Sequence, residues 1–259
     1  MSDASLAGRH ALVTGGGHGI GGDVATALVR QGARVTLLGR NEARLAEQVA
    51  RCAPLGQVQS VTADVSKGDQ VEAAFRKAVE GFGLIDILVN NAGTADSAPF
   101  TKLTEENWRK LFGVNVDGVF HCTQQVFGPM LAAKWGRVIN IASVAGVRGY
   151  RYISAYCATK HAVIGLTRVL ALEAAKSGVT VNAICPGYVD TELTQQNIRS
   201  IAQKTGMSEA DALASLVSAN PQGRLIQPEE IARTVVWLCS PGSESVTGQS
   251  IMLAGGEIT

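Results

Sequence analysis

The 259-residue chain has almost no charge imbalance: 23 lysines and arginines stand against 22 aspartates and glutamates, a formal net charge of +1 at pH 7. A balance this close, with no basic stripe, argues against a nucleic-acid partner or an anionic membrane surface. No apolar run reaches the roughly 18 residues that a membrane span needs, and the opening MSDASLAGRH lacks the apolar core of a signal peptide. Cysteine is sparse and scattered. The five (Cys52, Cys122, Cys157, Cys185, Cys239) are odd in number, without CxxC or histidine-rich spacing, which argues against a disulfide framework and a metal site alike. Linkers rich in proline and serine, charge blocks, internal repeats and low-complexity tracts are missing too, so residues 1–259 read as one domain with room for a large core. These absences together describe a soluble, cytoplasmic protein.

What is present is an alternation. Apolar runs of strand length at 11–13, 35–38, 58–62, 85–89, 137–141, 179–184 and 251–253 are separated by helical patterns near 20–31, 41–52, 68–81, 104–134, 155–176 and 228–240. That rhythm predicts an α/β fold, a doubly wound parallel sheet of seven strands with helices on both faces. Such sheets take ligands beyond the carboxyl ends of their strands. The turn in HALVTGGGHGIG (10–21), Asn90, Ser143 and Pro186 all fall at strand ends, so they converge on one crevice. Gly15, Gly19 and Gly21 lie between the first strand and the first helix. There they let the backbone turn tightly and let a pyrophosphate approach the free N–H groups of the helix. Thr104, followed by Glu105 and Glu106, reads as an N-cap with an acidic first turn, a purely structural signal.

The segment SVAGVRGYRYISAYCATK places Ser143 thirteen positions before Tyr156, and Lys160 four after it. On a helix starting near 155, residues i and i+4 share a face, so the Lys160 ammonium stands beside the Tyr156 phenol. A free phenol titrates near 10, and an adjacent cation lowers that by about 1–3 units, enough for it to give and take a proton. Ser143 would hold a substrate oxygen while Tyr156 protonates it. The plain alternative is a surface Tyr and Lys on an amphipathic helix. Cys157, next to Tyr156, reads as a small buried residue rather than a nucleophile.

TGGGHGIG (14–21), NNAG (90–93), Asn115, Ser143, Tyr156, Lys160 and the PG of Pro186 and Gly187 resemble the short-chain dehydrogenase/reductase family, in register from about residue 8 to residue 256. The resemblance implies a single Rossmann-type domain, a nicotinamide cofactor and a homotetramer. It makes Ser143, Tyr156, Lys160 and Asn115 the catalytic set, Asn115 holding a water that links Lys160 to solvent. Cofactor contacts would come from Gly15, Gly17, His18, Gly19, Ile20, Gly21, Arg40, Asp64, Val65, Asn91, Ala92, Gly93, Tyr156, Lys160, Pro186, Gly187, Val189 and Thr191. Among these, Asp64 and Val65 would meet the adenine, Asn90 with Gly93 would shape the nicotinamide side, and Thr191 would bond the carboxamide.

Charge bears on which nicotinamide cofactor is taken. NAD-binding folds of this kind place an Asp or Glu at the end of the second strand to hold the ribose hydroxyls. Here LLGRNE has Gly39 and then Arg40. A guanidinium with no carboxylate beside it suits a 2′-phosphate, with His18 adding partial charge, so NADP(H) is preferred. The other reading leaves Arg40 on adenine or in water and NAD(H) bound.

Thr94, Val144, Ala145, Arg148, Tyr150, Tyr152, Ile153 and Tyr188 are the substrate-pocket candidates, and 191–219 exceeds an ordinary loop, as a mobile lid would. WGRVINIAS and NAICPGYV resemble 3-hydroxybutyrate dehydrogenases. Where those place a His and a Lys for the substrate carboxylate, this chain has Ala145 and Ile153, with Gln195 available. Ala254 stands where the family often has Asp before GG. A 3-oxoacyl thioester on CoA or a carrier protein, its phosphates met by Arg148 and Arg151, or a bulky apolar or aromatic ketone, is therefore the expected small-molecule substrate. The alternatives are an NAD-dependent dehydrogenase of a hydroxy acid or secondary alcohol and a non-catalytic dinucleotide sensor, the latter disfavoured because a sensor needs none of the four catalytic residues.

Overall fold

A computed structural model describes residues 5–258; residues 1–4 and 259 of the expected domain lie outside the described residues. Seven parallel strands, β1 (His10–Thr14), β2 (Arg34–Gly39), β3 (Val58–Thr62), β4 (Ile87–Asn90), β5 (Gly136–Ile141), β6 (Val179–Pro186) and β7 (Ser250–Leu253), form one sheet. Their order is β3-β2-β1-β4-β5-β6-β7. The chain works outward from β1 to β3, then returns to lay β4 on the other side of β1. That reversal opens a crevice above the carboxyl ends of β1 and β4. Every residue of β1, β4, β5 and β6 is buried, as continuous apolar runs covered on both faces require.

The helices are α1 (Gly19–Arg30), α2 (Glu42–Cys52), α3 (Gly68–Phe82), α4 (Glu105–Phe112), α5 (Gly118–Ala133), α6 (Ser154–Ala174), α7 (Glu192–Thr205), α8 (Glu209–Val217) and α9 (Pro228–Cys239). One core, built from Val24, Leu28, Leu37, Val89, Ile184, Ile231 and Val235 among others, seals α1 and α9 against one face of the sheet. A second, with Leu12, Val71, Phe75, Leu88, Val126 and Val181, seals α3 and α5 against the other. Among the described residues, no helix is long and apolar enough to cross a membrane.

One boundary differs from the sequence expectation in a way that matters below. The single helix expected over 104–134 is two helices joined by a π-helical turn, Gly113–Asp117, with Asn115 at its centre. Such wide turns inside a helix are rare and often sit at functional positions. The expected lid, 191–219, contains α7 and α8.

Lys134 closes α5 in the left-handed conformation, φ 53° and ψ 31°, with its side chain exposed. A β-carbon makes that conformation costly, and glycine does not carry the cost. Lys134→Gly is therefore expected to stabilise the protein by about 0.5–1 kcal/mol. Thermal melting should show a midpoint raised by about 1–4 °C; an unchanged or lowered midpoint would refute the strain argument.

Candidate active site

The crevice is built first by the turn after β1. Thr14 Oγ1 accepts the N–H groups of Asn91 (3.0 Å) and Ala92 (2.9 Å), clamping the loop after β4 onto the end of β1. Asn91 Nδ2 returns a hydrogen bond to the Thr14 carbonyl at 2.9 Å. Gly15 holds φ +64°, and a β-carbon there would stand 3.1 Å from Ala92 Cα; one on Gly21 would stand 2.3 Å from the Gly15 carbonyl. These positions admit only hydrogen if the turn is to stay closed. His18 precedes α1 with no side-chain cap bond, and the first turn of α1, with Ile20, carries no acidic residue. The first N–H groups and the positive end of the helix are thus left for an anion.

The adenosine side differs in detail from the charge expectation. Arg40 is exposed at the end of β2, yet its guanidinium is 3.7 Å from Asp64 Oδ2, so a carboxylate does stand near it. Burial pushes the Asp64 carboxyl up, but hydrogen bonds from Ser66, helped by Arg40 and Lys67, outweigh it and hold the group below its ordinary range. Burial, with Arg44 nearby, lowers His18 below the usual imidazole range, so at neutral pH it offers a hydrogen bond rather than a charge. Val65 turns its side chain toward α5, where a β-carbon on Gly118 would meet Val65 Cγ2 at 2.8 Å. Asn90 does not face the crevice. It is buried and donates to Thr123 Oγ1 (3.1 Å) and Asn140 Oδ1 (2.9 Å), a tie between strand β4 and its neighbours, while Gly93 remains at the surface of the crevice.

Beyond β5, Ser143 caps a short 3-10 turn, Val144–Gly146, its Oγ accepting the Ala145 N–H at 3.1 Å. Gly146 lets that turn press on α6, since a β-carbon there would come within 2.8 Å of the Lys160 carbonyl. One turn of α6 then separates Tyr156 from Lys160, whose Nζ is 5.6 Å from the Tyr156 ring centroid and donates to the Ile141 carbonyl at 2.8 Å. Asn115 faces the same space: Oδ1 accepts the Thr94 N–H (2.8 Å), and Nδ2 donates to Thr94 O (2.8 Å) and Thr159 Oγ1 (3.1 Å). A β-carbon on Gly93 would stand 3.4 Å from Asn115 Oδ1 and 3.8 Å from Lys160 Nζ, so the three meet at one point.

Proton affinities run opposite to the expectation for the phenol. Burial pushes Tyr156 up to about 12, although its hydrogen bond with Ser143 pulls the other way. Burial also pulls Lys160 down to about 8. Desolvation disfavours the charged form of each, and it is the largest cause of both shifts.

Residues 9–202 match the family model described as short chain dehydrogenase. The chain is 39% identical over 253 residues to a D-beta-hydroxybutyrate dehydrogenase of Cupriavidus necator, covering 97% of this chain and 98% of that protein. It is 34% identical over 258 residues to a 3-oxoacyl-(acyl-carrier-protein) reductase of Chlamydia trachomatis, covering 97% of this chain and 98% of that protein. A crystal structure of an actinorhodin polyketide ketoreductase variant with NADPH superposes with a TM-score of 0.93 at 35% identity, covering 99% of both chains. The chain belongs to the short-chain dehydrogenase family. It is accordingly an oxidoreductase of the hydroxyl and carbonyl pair, and its sheet is of the Rossmann type.

In this dehydrogenase the turn after β6 forms the far wall. Pro186 is buried, Gly187 N–H donates to the Leu253 carbonyl (3.0 Å), and Val189 bridges to Ile226. That bridge ties the start of segment 191–219 to the chain that follows it. Thr191 caps α7 and stands against the glycine turn, its Cγ2 3.7 Å from where a β-carbon on Gly19 would be. Of the three tyrosines assigned to the substrate pocket, Tyr150 reaches Glu257 and Tyr188 is in the turn after β6, whereas Tyr152 is 60% exposed and lines a separate hollow with Asp96, Leu103 and Leu111. Gln195 is exposed and uses one of its two amide hydrogens on Asp190 Oδ1, at 2.8 Å.

Two residues that the sequence reading passed over join the site. Arg44, in the first turn of α2, lies with its backbone against Gly17 and its guanidinium 3.1 Å from Glu192 of α7. Its spacing of four from Arg40 was the available sign. Glu257 has no local signal at all; it is brought in by tertiary structure.

Proposed function

We propose that the protein is an NADP(H)-dependent carbonyl reductase in which Tyr156 delivers the proton to a substrate oxygen held by Ser143. The observation that carries this reading is the convergence of Ser143, Tyr156 and Lys160 beside a glycine turn whose helix end is left free for an anion. The residues fit a dinucleotide: the uncapped start of α1 for its pyrophosphate, Gly15, Gly17, Gly19 and Gly21 to admit it, and Arg40 and Arg44 for charge on the adenosine side. Bound there, a nicotinamide cofactor supplies the hydride.

The side chains of the protein do the rest. Ser143 Oγ orients the carbonyl oxygen; Tyr156, which holds its proton at neutral pH, gives that proton as the oxygen gains charge. Lys160, anchored on the Ile141 carbonyl, keeps a cation next to the phenol so that the phenolate left behind is stabilised. Asn115, at the π-helical turn, presents Oδ1 toward Lys160 and serves as the polar link through which Tyr156 is recharged. Asn91, Ala92, Gly93, Pro186, Gly187, Val189 and Thr191 complete the cofactor walls, and residues 191–219 of the single domain act as the cover over substrate.

A 3-oxoacyl thioester or a bulky ketone is the substrate class favoured, because the places expected to carry a cation for a free acid hold Ala145 and Ile153. The named activity of the polyketide ketoreductase and of the 3-oxoacyl reductase supports this choice. Exposed Phe120 on α5 and exposed Val169 and Leu172 on α6 support assembly as a homotetramer. Oxidation of NADPH and NADH with 3-oxoacyl-CoA thioesters and aromatic ketones tests the whole reading, and NADPH-dependent thioester turnover is expected. Loss of the Arg40 hydrogen bonds to a 2′-phosphate is worth about 1.5–3 kcal/mol. Arg40→Gln should therefore cut the NADPH-over-NADH preference about 10- to 100-fold. A wild-type preference for NADH, or an unchanged ratio in the variant, would remove NADP(H) from the proposal.

A further inference from the structure

After β7 the chain turns back over the substrate side of the crevice. Gly255 (φ +59°) and Gly256 (φ +94°) both hold the left-handed conformation, and a β-carbon on Gly255 would overlap the Asn220 side chain. This double-glycine turn, closed by the Glu257 N–H donating to the Ala254 carbonyl at 3.1 Å, carries Glu257 inward. Its Oε1 accepts the hydroxyl of Tyr150, 107 positions earlier in the chain. Its Oε2 lies over Gly187, 3.4 Å from where a β-carbon on that residue would be. Gly187 and Tyr188 form the turn after β6; Tyr188 lies near Tyr156, and the Glu257 carboxylate lies near both Tyr150 and Tyr188. Burial first, and then this carboxylate, hold Tyr150 and Tyr188 above the ordinary phenol range, so both remain neutral donors. A cation near this group is Arg148, whose guanidinium carbon is 5.4 Å from the Tyr150 ring centroid; that residue is exposed and its charge is screened by water.

We propose that Glu257 is a specificity-determining residue that keeps carboxylate-bearing substrates out of this pocket, so that the carbonyl compound is accepted as a neutral ester, thioester or ketone. The inference rests on the reductase reading and sharpens its substrate class. An ionised carboxylate is an acceptor only, and Oε2 beside Gly187 offers a substrate nothing but an acceptor and a negative charge. A second carboxylate brought beside it meets repulsion that the exposed, water-screened Arg148 offsets little, whereas a neutral ester does not. The rejection is thus electrostatic rather than steric.

The test uses acetoacetate and ethyl acetoacetate, nearly matched apart from the charge. In Glu257→Gln, which keeps an acceptor for Tyr150 and loses the charge, kcat/KM for the acid relative to the ester should rise about tenfold or more. The ester alone should change less than about threefold, as expected when charge rather than shape is altered. Glu257→Lys should carry the ratio further in the same direction. A ratio that moves less than twofold in both variants overturns the inference even if both compounds are reduced. If the wild type reduces neither compound, the reductase reading is decided by the thioester and aromatic-ketone assay, and Glu257 is judged by calorimetric binding of the acetoacetate pair. There the acid-to-ester affinity ratio must rise likewise in Glu257→Gln, and a flat ratio overturns the inference.

Discussion

Replacing Tyr156 by phenylalanine is expected to lower carbonyl reduction by about 10²- to 10⁴-fold, the range that a positioned proton donor supplies. The expected loss is confined to chemistry for three reasons visible in the structure. The ring keeps its shape on α6, so the packing around it is retained. The hydroxyl is removed from a place where its recorded side-chain partner is Ser143, which keeps its own bond to the Ala145 N–H. Lys160 retains its anchor on the Ile141 carbonyl, so the cation beside the cofactor walls does not move. Affinity for NADPH, followed by its fluorescence, should change less than about threefold, and the thermal midpoint by less than about 2 °C. Activity within tenfold of wild type would show that some other group delivers the proton. Loss of cofactor affinity along with activity would show that the phenol holds the cofactor instead.

The parts of the site that the sequence displays are those made by neighbours in the chain. The glycine turn is legible because a strand, three glycines and a helix follow one another within 10–21, and the Tyr156–Lys160 pair because four residues make one helical turn. The sheet is legible because β1, β4, β5 and β6 are buried on both faces and are therefore rich in Val, Ile, Leu and Ala, with a few polar residues among them. What was not legible depends on distance in the chain. Asn90 looks like a crevice residue until Asn140, 50 positions away, takes its amide. The π-helical turn at Asn115 answers to Thr94 and Thr159, neither of them in the same helix. The direction of the Tyr156 shift follows from burial, which no i,i+4 argument contains. Glu257 shows the limit most plainly, since its partner Tyr150 is on the other side of β6 in sequence.

Gly21→Ala is expected to damage fold and cofactor binding together, although the substitution adds one methyl group to a residue at the start of a helix. The new carbon would lie 2.3 Å from the Gly15 carbonyl oxygen, 2.9 Å from its carbon and 2.5 Å from Asn91 Nδ2. Two of those atoms are backbone and cannot swing aside. The third is the amide that bonds the carbonyls of Thr14 (2.9 Å) and Gly15 (3.3 Å), so displacing it also unties the loop after β4 from the end of β1. Overpacking of this kind costs about 1–3 kcal/mol, and leaving a buried polar partner unsatisfied about 1–3 kcal/mol more. A total of about 2–6 kcal/mol should lower the thermal midpoint by at least about 4 °C. Gly22→Ala is the control. Its new carbon would meet the Gln48 side chain, with Oε1 nearest at 3.2 Å, and the gain in helix propensity of about 1 kcal/mol offsets that crowding. If the glycine turn is the anion cradle, NADPH affinity should fall more than about tenfold in Gly21→Ala, equivalent to losing one well-made charged hydrogen bond, and stay near wild type in Gly22→Ala. A Gly21→Ala protein with normal stability and normal NADPH affinity would show that the close approach of Gly15, Gly21 and Asn91 is not what shapes the crevice.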